Sequence, residues 1–159
     1  SYYSTFYTVD GHSGNWSSKV AKTGGHAVQV DGGKLTVHDG KYTSALGNGI
    51  LVKGGTAVIN DGTFEGNDIG LSGDGKNTIA GAAASYGFKM YGGTVTINDG
   101  SFGGGGSGAF VMGTDSATAV ANIYGGSFDV TGQAGFSVYQ YANVTFGEEG
   151  DSNDKTTVK

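Results

Sequence analysis

A repeated unit of about 22 residues constrains the fold of this chain more than any other feature of its sequence. Residues 54–67 read GGTAVINDGTFEGN, and residues 92–105 read GGTVTINDGSFGGG, a near copy. One aromatic residue follows the turn of each unit, and these residues recur after 22, 38 and 26 positions: Tyr42, Phe64, Phe102 and Phe128. Repeats of roughly 20 to 50 residues are typical of solenoids, in which equivalent units stack on one another. The spacing therefore predicts a stacked repeat architecture.

Each unit contains a short strand before its Gly-Gly pair and another after it, with apolar residues at every second position, as in Leu35 and Val37. That period is the one of a half-buried strand. A unit this small buries its apolar face only by stacking, at about 4.8 Å per strand, and parallel crossovers are almost always right-handed. The sequence therefore predicts an all-β, single-stranded right-handed parallel β-helix of about five coils. The longer intervals predict one loop extruded over about residues 67–85 and four extra residues within 113–118.

The alternation also predicts which side chains form columns through the stack. One inward column contains the apolar residues of the first strands: Val28, Ile50, Phe88, Phe110 and Phe136. The second contains the recurring aromatic residues. At the Asn-Asp-Gly turn we expect Asn60 and Asn98 to form a ladder of side-chain amides, with His38 and Tyr124 in the same column.

The chain divides into three parts on this pattern. Residues 24–147 are predicted to form the coils. Residues 1–23 do not follow the repeat and are predicted to be a partial coil or a cap, for which Trp16 is suited. The polar residues 148–159 are predicted to be a tail or a linker.

Composition excludes several classes of protein. The chain has 33 glycines but no proline and no strict Gly-X-Y period, which excludes collagen. It has no cysteine, which excludes thiol catalysis and cysteine-based zinc sites. Its net charge is -5 and it contains no arginine, so we expect no nucleic acid partner. No apolar run approaches 18 residues, so no membrane span is expected.

The unit G-φ-x-φ-x-GG-T-φ-x-φ-N-D-G-x-F, where φ is apolar, resembles the right-handed parallel β-helix of the pectate-lyase-like superfamily. It is more closely similar to β-helix segments of bacterial surface adhesins and autotransporter passenger domains. The resemblance covers about residues 24–146. Because this fold serves lyases, hydrolases, tailspikes and adhesins alike, the resemblance implies the coil and leaves the activity open.

Enzymes of that superfamily use residues that this chain lacks. A pectate-lyase-like site needs an arginine or similar base beside calcium-binding carboxylates, and only lysine is available here. A pectin-esterase-like site pairs two aspartates with an arginine. A polygalacturonase-like site needs two adjacent aspartates, and the sequence has no such pair. No catalytic residue is therefore assigned, and the sequence favours a role without catalysis.

The acidic residues allow two interpretations. Asp39, Asp61 and Asp99 share one repeat position, where stacked carboxylates about 5 Å apart would repel by roughly 3 kcal/mol at an effective dielectric near 20. The favoured interpretation is that each carboxylate caps its own turn and is screened by water. The alternative is bound calcium, for which the candidate ligands are Asp61, Asp99 and the loop residues Asp74 and Asn77. No other cofactor is expected.

Tyrosines supply the candidate binding residues. Tyr91 and Tyr139 follow their first strands at one repeat position, where other coils have Lys53 and Asp31. Tyr86, Tyr124 and Tyr141 are predicted to flank them. A β-face that carries tyrosines can stack on sugar rings or contact a protein. The alternative is that these rings cover the seams between coils or pack under the extruded loop.

These observations predict a non-catalytic, adhesin-like module, secreted or on the surface of a bacterium and part of a longer surface protein. Its expected partner is a glycan or a host or microbial surface protein, bound through the exposed β-face and the loop. Two alternatives stay open: a fragment or relative of a polysaccharide lyase or hydrolase, and a passive structural stalk.

Overall fold

The computed structural model describes residues 8–11, 15–18, 26–44, 47–66, 70–71, 78–79, 85–104, 107–129, 135–147 and 157–158. All regular structure within these ranges is β-strand, which confirms the all-β prediction. The described ranges accordingly contain no helix that could cross a membrane. In chain order the strands are β1 (Thr8–Gly11), β2 (Asn15–Ser18), β3 (Val28–Val30), β4 (Lys34–Val37), β5 (Lys41–Ser44), β6 (Ile50–Val52), β7 (Thr56–Ile59), β8 (Thr63–Gly66), β9 (Gly70–Leu71), β10 (Thr78–Ile79), β11 (Tyr86–Met90), β12 (Gly93–Ile97), β13 (Ser101–Gly104), β14 (Ser107–Val111), β15 (Ala119–Ile123), β16 (Ser127–Asp129), β17 (Phe136–Val138), β18 (Ala142–Phe146) and β19 (Thr157–Val158).

Three sheets of parallel strands surround one core. The first sheet has the order β3-β6-β11-β14-β17, and the second has the order β1-β4-β7-β12-β15-β18. The third has the order β2-β5-β8-β13-β16-β19. Along the chain, each strand of the first sheet is followed by one of the second and one of the third, and equivalent strands of neighbouring repeats pair in parallel. This is the architecture of a parallel β-solenoid, as the repeat predicted.

A ladder of stacked aromatic rings fills the third-sheet side of the core. Tyr42 stacks on Phe64 with 4.7 Å between ring centroids, Phe64 on Phe102 with 5.0 Å, and Phe102 on Phe128 with 4.8 Å. The planes of successive rings differ by no more than 9°. Because the centroid spacing equals the strand spacing, the ladder follows directly from strand register. The predicted aromatic column is confirmed.

The other predicted inward column is wrong at Phe110. The register pairs Phe88 with Ala109, and Ala109 with Phe136, so Ala109 occupies the inward position. Phe110 pairs with Lys89 on the outer face of the first sheet. Side chains alternate between the faces of a strand, so a shift of one residue moves an aromatic ring from the core to the surface. The inward column is Val28, Ile50, Phe88, Ala109 and Phe136.

The described parts of both predicted insertions lie outside the three sheets. Within the loop expected over 67–85, β9 and β10 form an antiparallel pair of their own, with Thr78 opposite Leu71. The four extra residues form a small hairpin in which Thr114 and Ala117 exchange two backbone hydrogen bonds of 2.8 and 3.1 Å. The strands that follow each insertion keep the register of the repeat.

Polar side chains stack along the turn between the second and third sheets. The side-chain nitrogen of Asn98 donates to the Oδ1 of Asn60 at 2.9 Å, and the side-chain nitrogen of Asn60 lies 3.3 Å from the Nδ1 of His38. This is the predicted amide ladder. The neighbouring aspartates each accept a hydrogen bond from the backbone N–H of the next glycine, at 2.6 to 2.8 Å: Asp39, Asp61 and Asp99. Each carboxylate thus caps its own turn, as the favoured interpretation predicts, and the calcium alternative stays open.

Strands outside the predicted coils extend the same sheets. In the segment predicted as a partial coil or cap, β1 pairs with β4 and β2 pairs with β5, so that Trp16 lies in register with Tyr42. In the segment predicted as a tail or linker, Thr157–Val158 pairs with β16. The core is less covered at β18, where Phe146 occupies the inward position of Ile123 yet is 45% exposed.

Candidate binding surface

The outer face of the first sheet carries two parallel rows of side chains. The row in the middle of the strands is Gln29, Leu51, Lys89, Phe110 and Ser137. The row at the carboxyl ends of the strands is Asp31, Lys53, Tyr91, Met112 and Tyr139. Tyr91 and Tyr139 thus share the repeat position that the sequence indicated, with Asp31 and Lys53 in the same row.

Five of the side chains on this face contact one another and form what we call the aromatic–lysine cluster: Tyr86, Lys89, Tyr91, Phe110 and Tyr139. Phe110 lies at its centre, with ring centroids 4.8 Å from Tyr139, 5.0 Å from Tyr86 and 6.2 Å from Tyr91. The Nζ of Lys89 lies over three rings, 4.7 Å from the centroid of Tyr86 and 5.1 Å from those of Tyr91 and Phe110. A cation at these distances is attracted to the ring faces.

Exposure differs strongly within the cluster. Tyr86 is only 9% exposed, and Lys89, Tyr91 and Phe110 are half-buried. Tyr139 is 56% exposed, and its plane is tilted by only 29° from that of Phe110, so the two rings stack. One ring face of Tyr139 is covered by Phe110, which leaves Tyr139 as the main ring of the cluster that an incoming molecule can reach.

Charge and burial set the electrostatics of this face. Burial raises the pKa of the Tyr86 hydroxyl above its ordinary value, and the neighbouring Tyr139 and Tyr91 add to the effect. Lys53 forms an ion pair of 3.7 Å with Asp31, whose carboxylate also accepts a 2.7 Å hydrogen bond from the side-chain nitrogen of Gln29. The ammonium of Lys89 instead faces aromatic rings. The cluster therefore presents a cationic and aromatic surface.

The structure brings three of the five predicted tyrosines together. Tyr86, Tyr91 and Tyr139 join the cluster, whereas Tyr141 lies in the turn between β17 and β18. Tyr124 follows β15 in the second sheet, at the turn of the amide ladder, and is 37% exposed there. It therefore lies at a different edge of the solenoid.

Two members of the cluster were missed by sequence reasoning. The alternating pattern alone predicts Phe110 in the core and gives Lys89 no role. Gly87 in β11 and Gly108 in β14 are equivalent residues. An alignment of the two strands on these glycines places Phe110 opposite Lys89 and predicts that both side chains face outward.

Comparisons of the chain with protein-family models, curated proteins and solved structures find no match. Its function must therefore be inferred from its own residues and their geometry.

The structure describes two of the four candidate metal ligands. Asp61 and Asp99 lie in the capped turns described above, at successive positions of one exposed row. Asp74 and Asn77 lie outside the described residues. Within the part of the chain that the structure describes, no three acidic or histidine side chains are close enough to hold a metal ion.

A half-buried histidine lies at the opposite edge of the first sheet. The Nδ1 of His26 accepts a 3.1 Å hydrogen bond from the backbone N–H of Asn48, whose side-chain nitrogen lies 3.0 Å from the same atom. Since a backbone N–H can only donate, this nitrogen carries no proton. Burial lowers the pKa of His26 from 6.5 to about 4, as do the charges of Lys53 and Lys89, while Asp31 acts in the opposite direction.

This geometry predicts a loss of stability in mild acid. The unfolded chain binds a proton at His26 below about pH 6.5, whereas the folded chain resists it until about pH 4. The contribution of His26 is therefore complete above pH 6.5 and declines as the pH falls toward 4. Because the ring is half-buried and solvent screens its charges, we expect a loss of about 1 to 2 kcal/mol.

Urea unfolding at several pH values, compared with His26→Gln, measures this contribution. The wild type should lose more stability than the variant between pH 6.5 and 4. Equal losses, or an NMR titration of the folded chain with a midpoint near 6.5, would contradict the prediction.

Proposed function

We propose that this chain is a non-catalytic, adhesin-like module of a secreted or surface protein of a bacterium, which binds a glycan or a protein through the outer face of its first sheet. The observation that carries the proposal is the aromatic–lysine cluster. The chain forms a parallel coil, which we take to be right-handed, and the surface-adhesin segments that its repeat resembles have a coil of this kind. The fold alone would not distinguish this role from an enzyme or a stalk.

The cluster has the physical properties of a recognition surface. Phe110 is supported by rings on several sides, so it holds Tyr139 in place at little cost in side-chain entropy. Rigid amphipathic rings supply large contact areas and a polar edge, which favours both sugar stacking and protein contacts. Lys89 adds a positive charge that is partly desolvated by the rings around it.

Binding is tested with purified chain on a glycan array and on immobilised mucin, collagen and fibronectin, in calcium and again in chelator. We expect a defined ligand whose affinity falls about tenfold, or about 1.4 kcal/mol, in Tyr139→Ala, because the accessible ring is lost. Tyr124→Ala is the matched control, since it removes an exposed tyrosine from another edge of the solenoid. It should bind as the wild type does.

Other outcomes separate the alternatives. If wild-type chain binds nothing on either panel, the passive stalk is supported and the proposal fails. If soluble polysaccharides release reducing or unsaturated ends in its presence, the enzyme alternative is supported. If binding is lost in chelator, a calcium ion takes part and the candidate acidic residues become the next to vary.

A further inference from the structure

The turn between β17 and β18 departs from the turns that follow β3, β6 and β11 in the first sheet. Those three turns use glycine where the backbone takes a positive φ: 75° at Gly33, 79° at Gly55 and 82° at Gly93. Here the sequence is Tyr139-Gln140-Tyr141, and Tyr141 itself has a φ of 55°. It is the one non-glycine residue with a positive φ within the described ranges. A side chain in this conformation is strained, and such strain is concentrated at functional sites.

The hairpin inserted after β14 is attached to this turn. The backbone N–H of Gly113 donates to the carbonyl oxygen of Gln140 at 2.9 Å. Just after the hairpin, the N–H of Ala119 at the start of β15 donates to the carbonyl oxygen of Tyr141 at 3.0 Å, as Thr56 does to Gly33 in an earlier repeat. Gly113 and Tyr141 lie so close together that a Cβ added to Gly113 would collide with the carbonyl oxygen of Tyr141. The same Cβ would lie 2.7 Å from the Cβ of Tyr141. An insertion in one coil and a strained turn in the next thus form one structural unit.

The side chains of this unit face solvent. Tyr139 and Tyr141 are 56% and 49% exposed, and Gln140 and Asp115 are also exposed. A side-chain hydrogen bond with Asp115 raises the pKa of the Tyr141 hydroxyl above its ordinary value, so the carboxylate of the hairpin and the ring of the turn lie together. Among residues 113–117 and 139–142, Asp115 carries the only charge.

We propose that Tyr139, Gln140, Tyr141 and Asp115 form a binding site for a neutral pyranose of a glycan. The inference rests on the proposed binding function and narrows its ligand. The apolar C–H face of a sugar stacks on an exposed ring, while its hydroxyls donate to the carboxylate of Asp115 and exchange hydrogen bonds with the amide of Gln140. An acidic sugar is disfavoured, because its carboxylate would face that of Asp115, while the ammonium of Lys89 in the neighbouring cluster is directed at aromatic rings.

Tyr141→Gly separates binding from folding. Glycine adopts a positive φ without strain, so this variant should unfold within about 3 °C of the wild type while it loses the ring. On an array of neutral, sialylated and uronic-acid oligosaccharides, we expect the wild-type chain to bind neutral members. Tyr141→Gly should weaken that binding at least tenfold, and Asp115→Asn, which keeps the shape of the side chain, about fivefold. Tyr124→Ala should leave it unchanged.

The possible failures are distinct. Binding to acidic glycans only, or to proteins only, overturns the neutral-sugar site while the proposed function stands. Binding to neutral glycans that survives Tyr141→Gly but is lost in Tyr139→Ala also overturns this site and leaves the aromatic–lysine cluster as the binding surface. Absence of binding to every glycan and protein overturns both.

Discussion

Replacement of Phe102 by alanine is expected to lower the free energy of unfolding by about 3 to 5 kcal/mol. Its ring is 1% exposed and lies in the middle of the aromatic ladder, stacked between Phe64 and Phe128. It also packs edge-to-face against the ring of Phe88, with 6.3 Å between the ring centroids. Removal of the ring leaves a cavity bounded by these three residues and interrupts the stack on both sides. The parallel backbones that carry them are hydrogen-bonded above and below, so the cavity cannot collapse easily.

Urea unfolding followed by far-UV circular dichroism measures the effect, with Phe146→Ala as the control. Phe146 is the same type of residue at an inward position, but it is 45% exposed and is covered on fewer sides. We expect its replacement to cost about 1 kcal/mol or less. Similar losses in the two variants would mean that the aromatic ladder does not hold the core together.

Replacement of Gly55 by alanine is expected to cost about 2 to 4 kcal/mol. Two independent effects add here. The φ of 79° at Gly55 lies in the left-handed region, where a residue with a Cβ is strained. In addition, a Cβ on residue 55 would lie 2.5 Å from the carbonyl oxygen of Gly33 in the neighbouring repeat. Since the obstructing atoms belong to a backbone that is itself hydrogen-bonded into the stack, the clash cannot be relieved by a change of rotamer.

Gly32→Ala is the matched control for this substitution. No atom lies within 4 Å of a Cβ built on Gly32, and its φ is outside the left-handed region. Its unfolding free energy should stay within about 0.5 kcal/mol of the wild type. If both variants unfold at the same urea concentration, the close approach of turns in neighbouring repeats does not limit which residues they accept.

Much of the fold could be predicted because the same local pattern recurs. Tyr42, Phe64 and Phe102 follow similar turns, so hydrogen-bonded stacking necessarily brings their rings together. The Asn60–Asn98 ladder followed from the same logic. A match of apolar residues alone pairs Phe110 with Phe88 and so predicts Phe110 in the core. The backbone hydrogen bonds set the register instead and pair Phe110 with Lys89, as the equivalent glycines Gly87 and Gly108 indicate.

The candidate sites were less predictable, because their members come from separate repeats and insertions. The shared row of Tyr91 and Tyr139 was visible in the spacing. The position of Lys89 over three rings, and that of Asp115 beside Tyr141, depend on which way side chains turn after the strands have paired.

The sequence by itself determined the repeat, the short strands, their two-residue alternation and the glycine turns, since each of these is a local property of the chain. The tertiary structure alone decided which residue of β14 faces outward, that the hairpin after it attaches to the turn at Tyr141, and that one tyrosine of the cluster is exposed while another is buried. These features depend on contacts between coils that are distant in sequence. A periodic pattern specifies that coils stack. The contacts of residues that break the period depend on which coils lie beside them in the folded structure.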